Sequence, residues 1–307
     1  MRHLLIALAV TAVTTSAFAE GEPVHIRFAP GAGSLWHLTE VRTRTSRGEG
    51  PESITVATSN GTLTIHTASA QTFDASWVLD SIETRGVLVR NEPSYFIGLP
   101  MNLRLDEVGA PIFIEDWSGL RRRTIEAVIQ ITPEAERTPE WRRGVEGFEN
   151  IMAGWSESHA AQLFAPLVAH MSLCHETRLR IGETVSGEAQ LPNPLGGPPM
   201  AATESYLLEE IDRSNGVARL VYTRALDPES ATASIRESLI LLARQSGRST
   251  EELEREFAGL TITHDSRAEC IVDLATGVTT SLVHEVRVGF GPAVRIDRRE
   301  ITVRAAP

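Results

Sequence analysis

The chain has 307 residues, a formal net charge of −11 at pH 7 and 42% hydrophobic residues, enough apolar material for one large domain or two small ones. An acidic balance argues against nucleic acid as a partner, because neutralising phosphates takes a basic surface. Aromatic content of 6% argues against a face that stacks sugars or bases, and all 29 basic residues are arginine, a bias that fits a GC-rich bacterial genome.

Arg2 and His3 precede an apolar run at residues 4–13, and Ala17-Phe18-Ala19 has the A-x-A spacing of a signal-peptidase site. The run is too short to anchor in a bilayer. Residues 1–19 therefore read as a cleaved signal peptide, and residues 20–307 as a single β-rich α+β body that is periplasmic or secreted and not membrane-spanning. No cysteine follows the cleavage point, so no lipid anchor is expected.

Residues 24–28 alternate apolar and polar, as a strand does, and stop at Pro30-Gly31. Residues 34–45 predict a second strand. Residues 54–57 and 63–66 flank Asn60-Gly61, a dipeptide that accepts φ > 0 at both turn positions and so predicts a hairpin. Residues 73–82 and 88–97 continue the sheet. Three later turns carry Asp and Gly: Asp106 to Gly109, Asp212 to Gly216 and Asp273 to Gly277.

Helices interrupt the strands twice. Residues 117–131 carry Leu120, Val128 and Ile131 at helical spacing, although residues 125–131 also tolerate a strand. Thr138 caps a clearer helix with Pro139 at its first position, and Trp141, Val145, Phe148, Met152 and Trp155 give it one apolar face. A further stripe follows at residues 163–171. The second block opens with Asp227-Pro228, and Ser249-Thr250-Glu251-Glu252 has the form of a capping box. Residues 191–199, rich in Pro and Gly, predict a loop. The fold class is α+β: a curved antiparallel sheet or half-barrel with helices over one face. Two related β-rich halves, residues 20–135 and 172–307, would be joined by a helical segment at 136–171.

Cys174 and Cys270 are the two cysteines of the chain, and an even count in an oxidising compartment predicts one disulfide. His170, Cys174, His175 and Glu176 form the densest set of metal-type donors. A cysteine in a disulfide is no thiolate ligand, so no metal and no cofactor is expected. Residues 154–158 come near a G-x-S-x-G elbow but lack the second Gly and follow a helical pattern, and His159 is adjacent only in sequence. Gly31-Ala32-Gly33 precedes a strand, where a dinucleotide fingerprint must open a helix. His264-Asp265 and His284-Glu285 lie on strands, whose neighbouring side chains point to opposite faces. Arg121 to Arg123 and Arg142-Arg143 read as a solvated helix face, or as spots for lipid phosphate or an acidic partner.

The Asp-turn hairpins at 106–109 and 273–277 and the helices of residues 138–171 together resemble bacterial envelope proteins of half-barrel type, the lipoprotein-localisation carriers and related lipid-binding mycobacterial lipoproteins. The resemblance is one of architecture. It implies a curved sheet with helices over its concave face and an apolar cavity. From the residues themselves, Trp141, Val145, Phe148, Met152 and Trp155 are the candidate lining of such a cavity, or the stripe that any helix covering the sheet needs. The leading expectation is a non-enzymatic protein that binds an apolar small molecule or lipid. An envelope protein that works through a protein partner is the alternative, and a hydrolase without a recognisable motif is the third.

Overall fold

The computed structural model describes residues 23–48, 50–69, 71–86, 96–175, 178–191, 193, 198–245, 255 and 261–306. The signal-peptide reading, residues 88–95, Glu176, the capping box at 249–252 and most of the 191–199 loop lie outside them.

The strands are β1 (Leu35–Arg47), β2 (Ser53–Ala68), β3 (Phe73–Gly86), β4 (Met101–Leu105), β5 (Pro111–Glu115), β6 (Thr184–Leu191), β7 (Met200–Asp212), β8 (Val217–Leu226), β9 (Ile262–Asp273), β10 (Thr279–Phe290) and β11 (Ala293–Ala305). The helices are α1 (Trp117–Ile131), α2 (Pro139–Ala153), α3 (Glu157–Phe164), α4 (Pro166–Met171) and α5 (Pro228–Gln245). All eleven strands form one open antiparallel sheet in the order β5-β4-β3-β2-β1-β11-β10-β9-β8-β7-β6. The chain meanders from the centre to one edge, crosses in the α1–α4 segment and meanders back, so that β11 pairs with β1 over twelve residue pairs, from Trp36–Ala305 to Arg47–Val294. The α+β class and curved-sheet reading hold.

The Asp-turn hairpins form where expected. Asp106 Oδ1 accepts from the Val108 and Ala110 N–H groups, and Asp273 Oδ1 accepts from Thr276 N. Gly109 and Gly277 follow at φ 84° and 64°, a region in which a side chain would be strained. Both glycines also seat the N-terminal segment. A Cβ on Gly277 would collide with the Arg27 carbonyl, and one on Gly109 would press on the Phe28 ring.

Two strand expectations need correction. Residues 24–28 are an extended strap over these turns, tied to the segment before β6 by the Val24–Leu179 bridge and to the β9–β10 turn by the Ala29 N to Thr276 O bond. Alternation there reflects Ile26 and Phe28 entering the core. Asn60-Gly61 is no turn: β2 runs straight through it, with a register shift against β3. Asn60 bonds Thr39 and Ser81 across both neighbouring strands. Gly61 lies under the Trp77 ring, where any Cβ would overlap the indole. The glycine serves close approach inside a strand rather than a bend.

Residues 117–131 are helical throughout, with the Asp116 side chain accepting from Gly119 N. Thr138 caps α2 through Trp141 N, with Pro139 in the first turn. The core joins strand and helix residues from both arms of the sheet, among them Leu38, Leu63, Trp77, Leu120, Val168 and Leu282. Cys174, just after α4, is bonded to Cys270 in β9 with Cα atoms 6.2 Å apart, so the helical crossover is tied covalently to the sheet. A smaller cluster gathers under α5: Met200, Ala202, Leu226, Ala231, Ile235 and Ile262.

Candidate functional site

Directly paired residues of antiparallel strands lie on the same face, so the registers resolve the helix-bearing face into rows running across the sheet. One row is apolar apart from its first member: Glu40, Ile301, Leu282, Cys270, Leu220 and Leu208. The next reads Arg42, Arg299, His284, Ala268, Tyr222 and Tyr206. After it come Arg44, Asp297, Val286, Ser266, Arg224 and Glu204. Beyond these, Leu226 and Ala202 begin the apolar cluster under α5. Two polar rows therefore separate two apolar regions on one face.

At the β1–β11 seam the belt is a lattice of charge. Arg42 and Arg299 stand opposite each other, an arrangement that repels unless carboxylates intervene. Asp297 intervenes on one side, accepting from Arg42 Nε at 2.7 Å and Nη2 at 2.5 Å. Glu40 does so on the other, accepting from Arg299 Nη1 at 2.9 Å. Arg44 reaches the same Asp297 oxygen at 3.2 and 3.3 Å, with the longer bonds of a second comer. The Asp297 side chain is 10% exposed and that of Arg44 39%, so the lattice is closed below and open at Arg44. Burial alone would raise the Asp297 carboxyl, but the Arg42 bonds and the charges of Arg42, Arg299 and Arg44 outweigh it and hold it down at about 2.

The middle of the belt carries histidines. His170, from α4, lies over His284 with ring centroids 5.2 Å apart, and its Nδ1 faces the Pro166 carbonyl. Burial, then the positive charge of Arg299, lowers His170 to about 4. His284 falls to about 3 through burial, His170 and Arg299. Both rings are neutral at pH 7. Ser266 Oγ is 2.7 Å from His284 Nε2, the spacing of a nucleophile and its base. The opposite ring nitrogen, His284 Nδ1, is buried with no hydrogen-bond partner among the described residues, so no described carboxylate orients the ring as an acid/base pair requires. A base titrating near 3 also has little driving force to take a serine proton at neutral pH. Further along, Glu204 accepts from Tyr222 OH at 3.0 Å and Arg224 Nε at 2.6 Å, and burial, with Glu204 beside it, raises the Tyr222 hydroxyl.

The expected site residues fall as follows. Met152 is wholly buried, Val145, Phe148 and Trp155 pack half-buried against the core, and Trp141 is half-buried. Trp155 stacks on Trp117 at 6.3 Å. Met152 is the single fully buried residue of the fifteen in α2, whereas α1 buries five. Three clefts open elsewhere: about 830 Å³ beside the strap, about 680 Å³ on the sheet's other face around Arg267, Glu285 and Arg298, and about 200 Å³ near Arg219. None of the three is lined by the α2 stripe.

His175 Nε2 donates to the Gly277 carbonyl, and no group of three metal-type donors occurs among the described residues. Ser156 caps α3 through His159 N. Arg122, Arg123 and Arg143 pair with Glu126, Asp116 and Glu140 on the surface. His264 and His284 take the helix-bearing face while Asp265 and Glu285 take the other, as strand alternation requires. Sequence reasoning named His170 and His284 separately but missed the belt that joins them to Arg42, Arg299, Asp297 and Glu40. The available signal was a charged residue at the inward positions of an otherwise alternating strand, as at Glu40, Arg42 and Arg44.

No protein-family model and no curated protein sequence matches this chain. Among solved structures, it is similar to lipovitellin, described for its lipid–protein interactions, with a TM-score of 0.44 and 11% identity over 90% of this chain and 26% of that one. The chain thus spans about a quarter of the lipovitellin chain. An outer membrane channel from Pseudomonas putida F1 aligns at TM-score 0.19 and 5% identity over 93% of this chain and 100% of the channel. DynF of the dynemicin pathway of Micromonospora chersina aligns at 0.19 and 7% over 94% and 92%. Similarities of this size say nothing about activity or ligand. No described helix is long and apolar enough to cross a membrane.

Proposed function

We propose that this is a non-catalytic binding protein of an oxidising compartment, periplasmic or secreted, that takes an amphipathic ligand on the helix-bearing face. The apolar tail enters beneath α2, and the polar head lies at the belt. The observation that carries this reading is the condition of α2. It has an apolar stripe of Trp141, Val145, Phe148 and Met152, yet only Met152 is fully withdrawn from water. Lifting α2 re-exposes Met152, about 2 kcal/mol by itself, together with the half-buried faces of Val145 and Phe148 and the core surface they cover. That is less than a helix with a wholly buried stripe would lose on opening locally. A ligand tail would bury what the helix leaves half-covered.

The test is native mass spectrometry of the protein purified from its own source, with solvent extraction of whatever is bound. A stoichiometric amphiphile, with Trp141 and Trp155 fluorescence shifting to the blue when it is added back, supports the reading. An unliganded mass together with no fluorescence response to added amphiphiles refutes it.

A second reading follows from the sheet edge. Strand β6 pairs only with β7, and its outer edge has no neighbouring strand among the described residues. A partner protein adding a strand there would use the chain as an envelope scaffold. Proline substitutions on β6 that leave a cross-linked partner unchanged would exclude it.

A further inference from the structure

Among the described residues, the seam between β1 and β11 carries more arginines than carboxylates on its helix-bearing side. Arg42, Arg44 and Arg299 meet two carboxylates, Asp297 and Glu40, and His170 and His284 beside them are neutral at pH 7. Further along the belt Arg224 is matched by Glu204, so it does not alter the excess. The surplus is localised. Asp297 gives both its oxygens to Arg42 and offers Arg44 only the oxygen already in use. Arg44 is also the most exposed of the five groups. A guanidinium has five N–H donors in a planar fork, and a single shared carboxylate oxygen leaves most of that fork unused.

A second orphan lies in the adjoining row. His284, the cross-strand neighbour of Arg299, is 7% exposed, and its Nδ1 has no hydrogen-bond partner among the described residues. If Nε2 accepts from the Ser266 hydroxyl, Nδ1 carries a proton with no acceptor. Burying such a donor unpaired is costly, and a ligand oxygen would relieve it. The acidic protein as a whole carries −11, so a local cationic excess held half-buried is a placed feature and not a consequence of composition.

We infer that the ligand's head is an anion, a carboxylate or phosphate ester, held by Arg44 at the β1–β11 seam with Arg42 and Arg299 behind it. This deepens the amphipathic-ligand reading and rests on it. Arg44 supplies charge-assisted hydrogen bonds to the head, and Asp297 fixes the arginine pair so that the site is formed before the ligand arrives.

The experiment uses the full delipidated chain and three probes: dodecanoate, 1-dodecanol and inorganic phosphate. Binding is followed by calorimetry and tryptophan fluorescence at pH 7. Wild type should prefer dodecanoate to dodecanol by about tenfold, the worth of one charge-assisted hydrogen bond. R44Q should cut that preference to about twofold, while R287Q, which removes the same charge from the opposite face, should leave it intact. Equal wild-type affinity for dodecanoate and dodecanol overturns the anionic head but leaves an amphiphile-binding protein. A folded R44Q with undiminished preference overturns the assignment to Arg44; should R44Q fail to fold, the wild-type comparison decides alone. Phosphate binding as tightly as dodecanoate supports the anion site with a free anion as its occupant, and overturns the amphipathic reading. Binding of no probe overturns both.

Discussion

Replacing Asp297 with asparagine tests the belt most directly, because the side chain keeps its size and loses the charge that Arg42 and Arg44 share. In the folded protein Asp297 receives two bonds from Arg42, at 2.7 and 2.5 Å, and two longer ones from Arg44. The amide retains one acceptor and turns an NH₂ towards a guanidinium. Removing one partner of a fully buried charge pair costs about 3–5 kcal/mol. Arg42 is 22% exposed and Arg44 39%, so water compensates part of the loss and about 3 kcal/mol is the expected cost. Arg42 also loses the carboxylate that separates it from Arg299 on the facing strand, which adds in the same direction. For a chain of this size the melting temperature should fall by about 5 °C. Urea unfolding of wild type, D297N, R42Q and the double variant isolates the pairwise part, which should be at least about 1 kcal/mol. D297N within about 0.5 kcal/mol of wild type, or a coupling of zero, would show that the lattice seen at the seam contributes nothing to stability. The pH dependence follows the same group. The folded carboxyl lies at about 2, below its ordinary 3.8. Its contribution is therefore complete above pH 3.8 and disappears as the pH falls through about 2, and D297N should lack that segment of the acid-unfolding curve.

Three further outcomes are expected. Reduction of Cys174–Cys270, or the C174S/C270S pair, opens a loop of sequence separation 96 and should cost about 4.7 kcal/mol by chain entropy, or about 8 °C in calorimetry; a change under about 2 °C would contradict it. His170 and His284 are held at about 4 and about 3 against 6.5 in the unfolded chain, so their contribution is complete above pH 6.5 and declines as the pH drops towards those values. In thermal melts H284Q should flatten that decline, and a slope identical to wild type would refute the assignment. Gly277→Ala should lose at least about 1 kcal/mol more than Gly216→Ala. Both glycines have positive φ, but only Gly277 meets the Arg27 carbonyl, and nothing lies within 4 Å of the Cβ position at Gly216. Equal losses in urea titrations would mean that the strap does not rest on that turn.

Local chemistry was legible wherever one turn or one cap decides the conformation. Asp106, Asp212 and Asp273 each accept N–H bonds within four residues, so their turns are specified by neighbours in sequence. The same holds for Thr138 at the start of α2. Asn60-Gly61 has equally strong turn chemistry and forms none, because Trp77 on the next strand occupies the space over Gly61 and Asn60 is claimed by both flanking strands. Strand 24–28 failed for a related reason: its alternation is real, but the two arms of the sheet pair with each other at β1–β11 and leave the segment to lie across the turns. The α2 stripe was readable as an apolar face; how deeply it is buried was not, since that depends on what α1 and the sheet present to it.

The amino-acid sequence by itself determined the β-rich α+β class, the Asp-turn hairpins, the capped helices and the disulfide pair, since each follows from short-range periodicity, local hydrogen bonding or the count of cysteines. The strand order, the course of β2 through Asn60-Gly61 and the polar belt were decided only by the tertiary structure. Arg42 and Asp297 are 255 residues apart. Their meeting is fixed by the antiparallel closure of β11 on β1, a long-range register that buries Leu38 and Val303 together and that neither segment specifies alone.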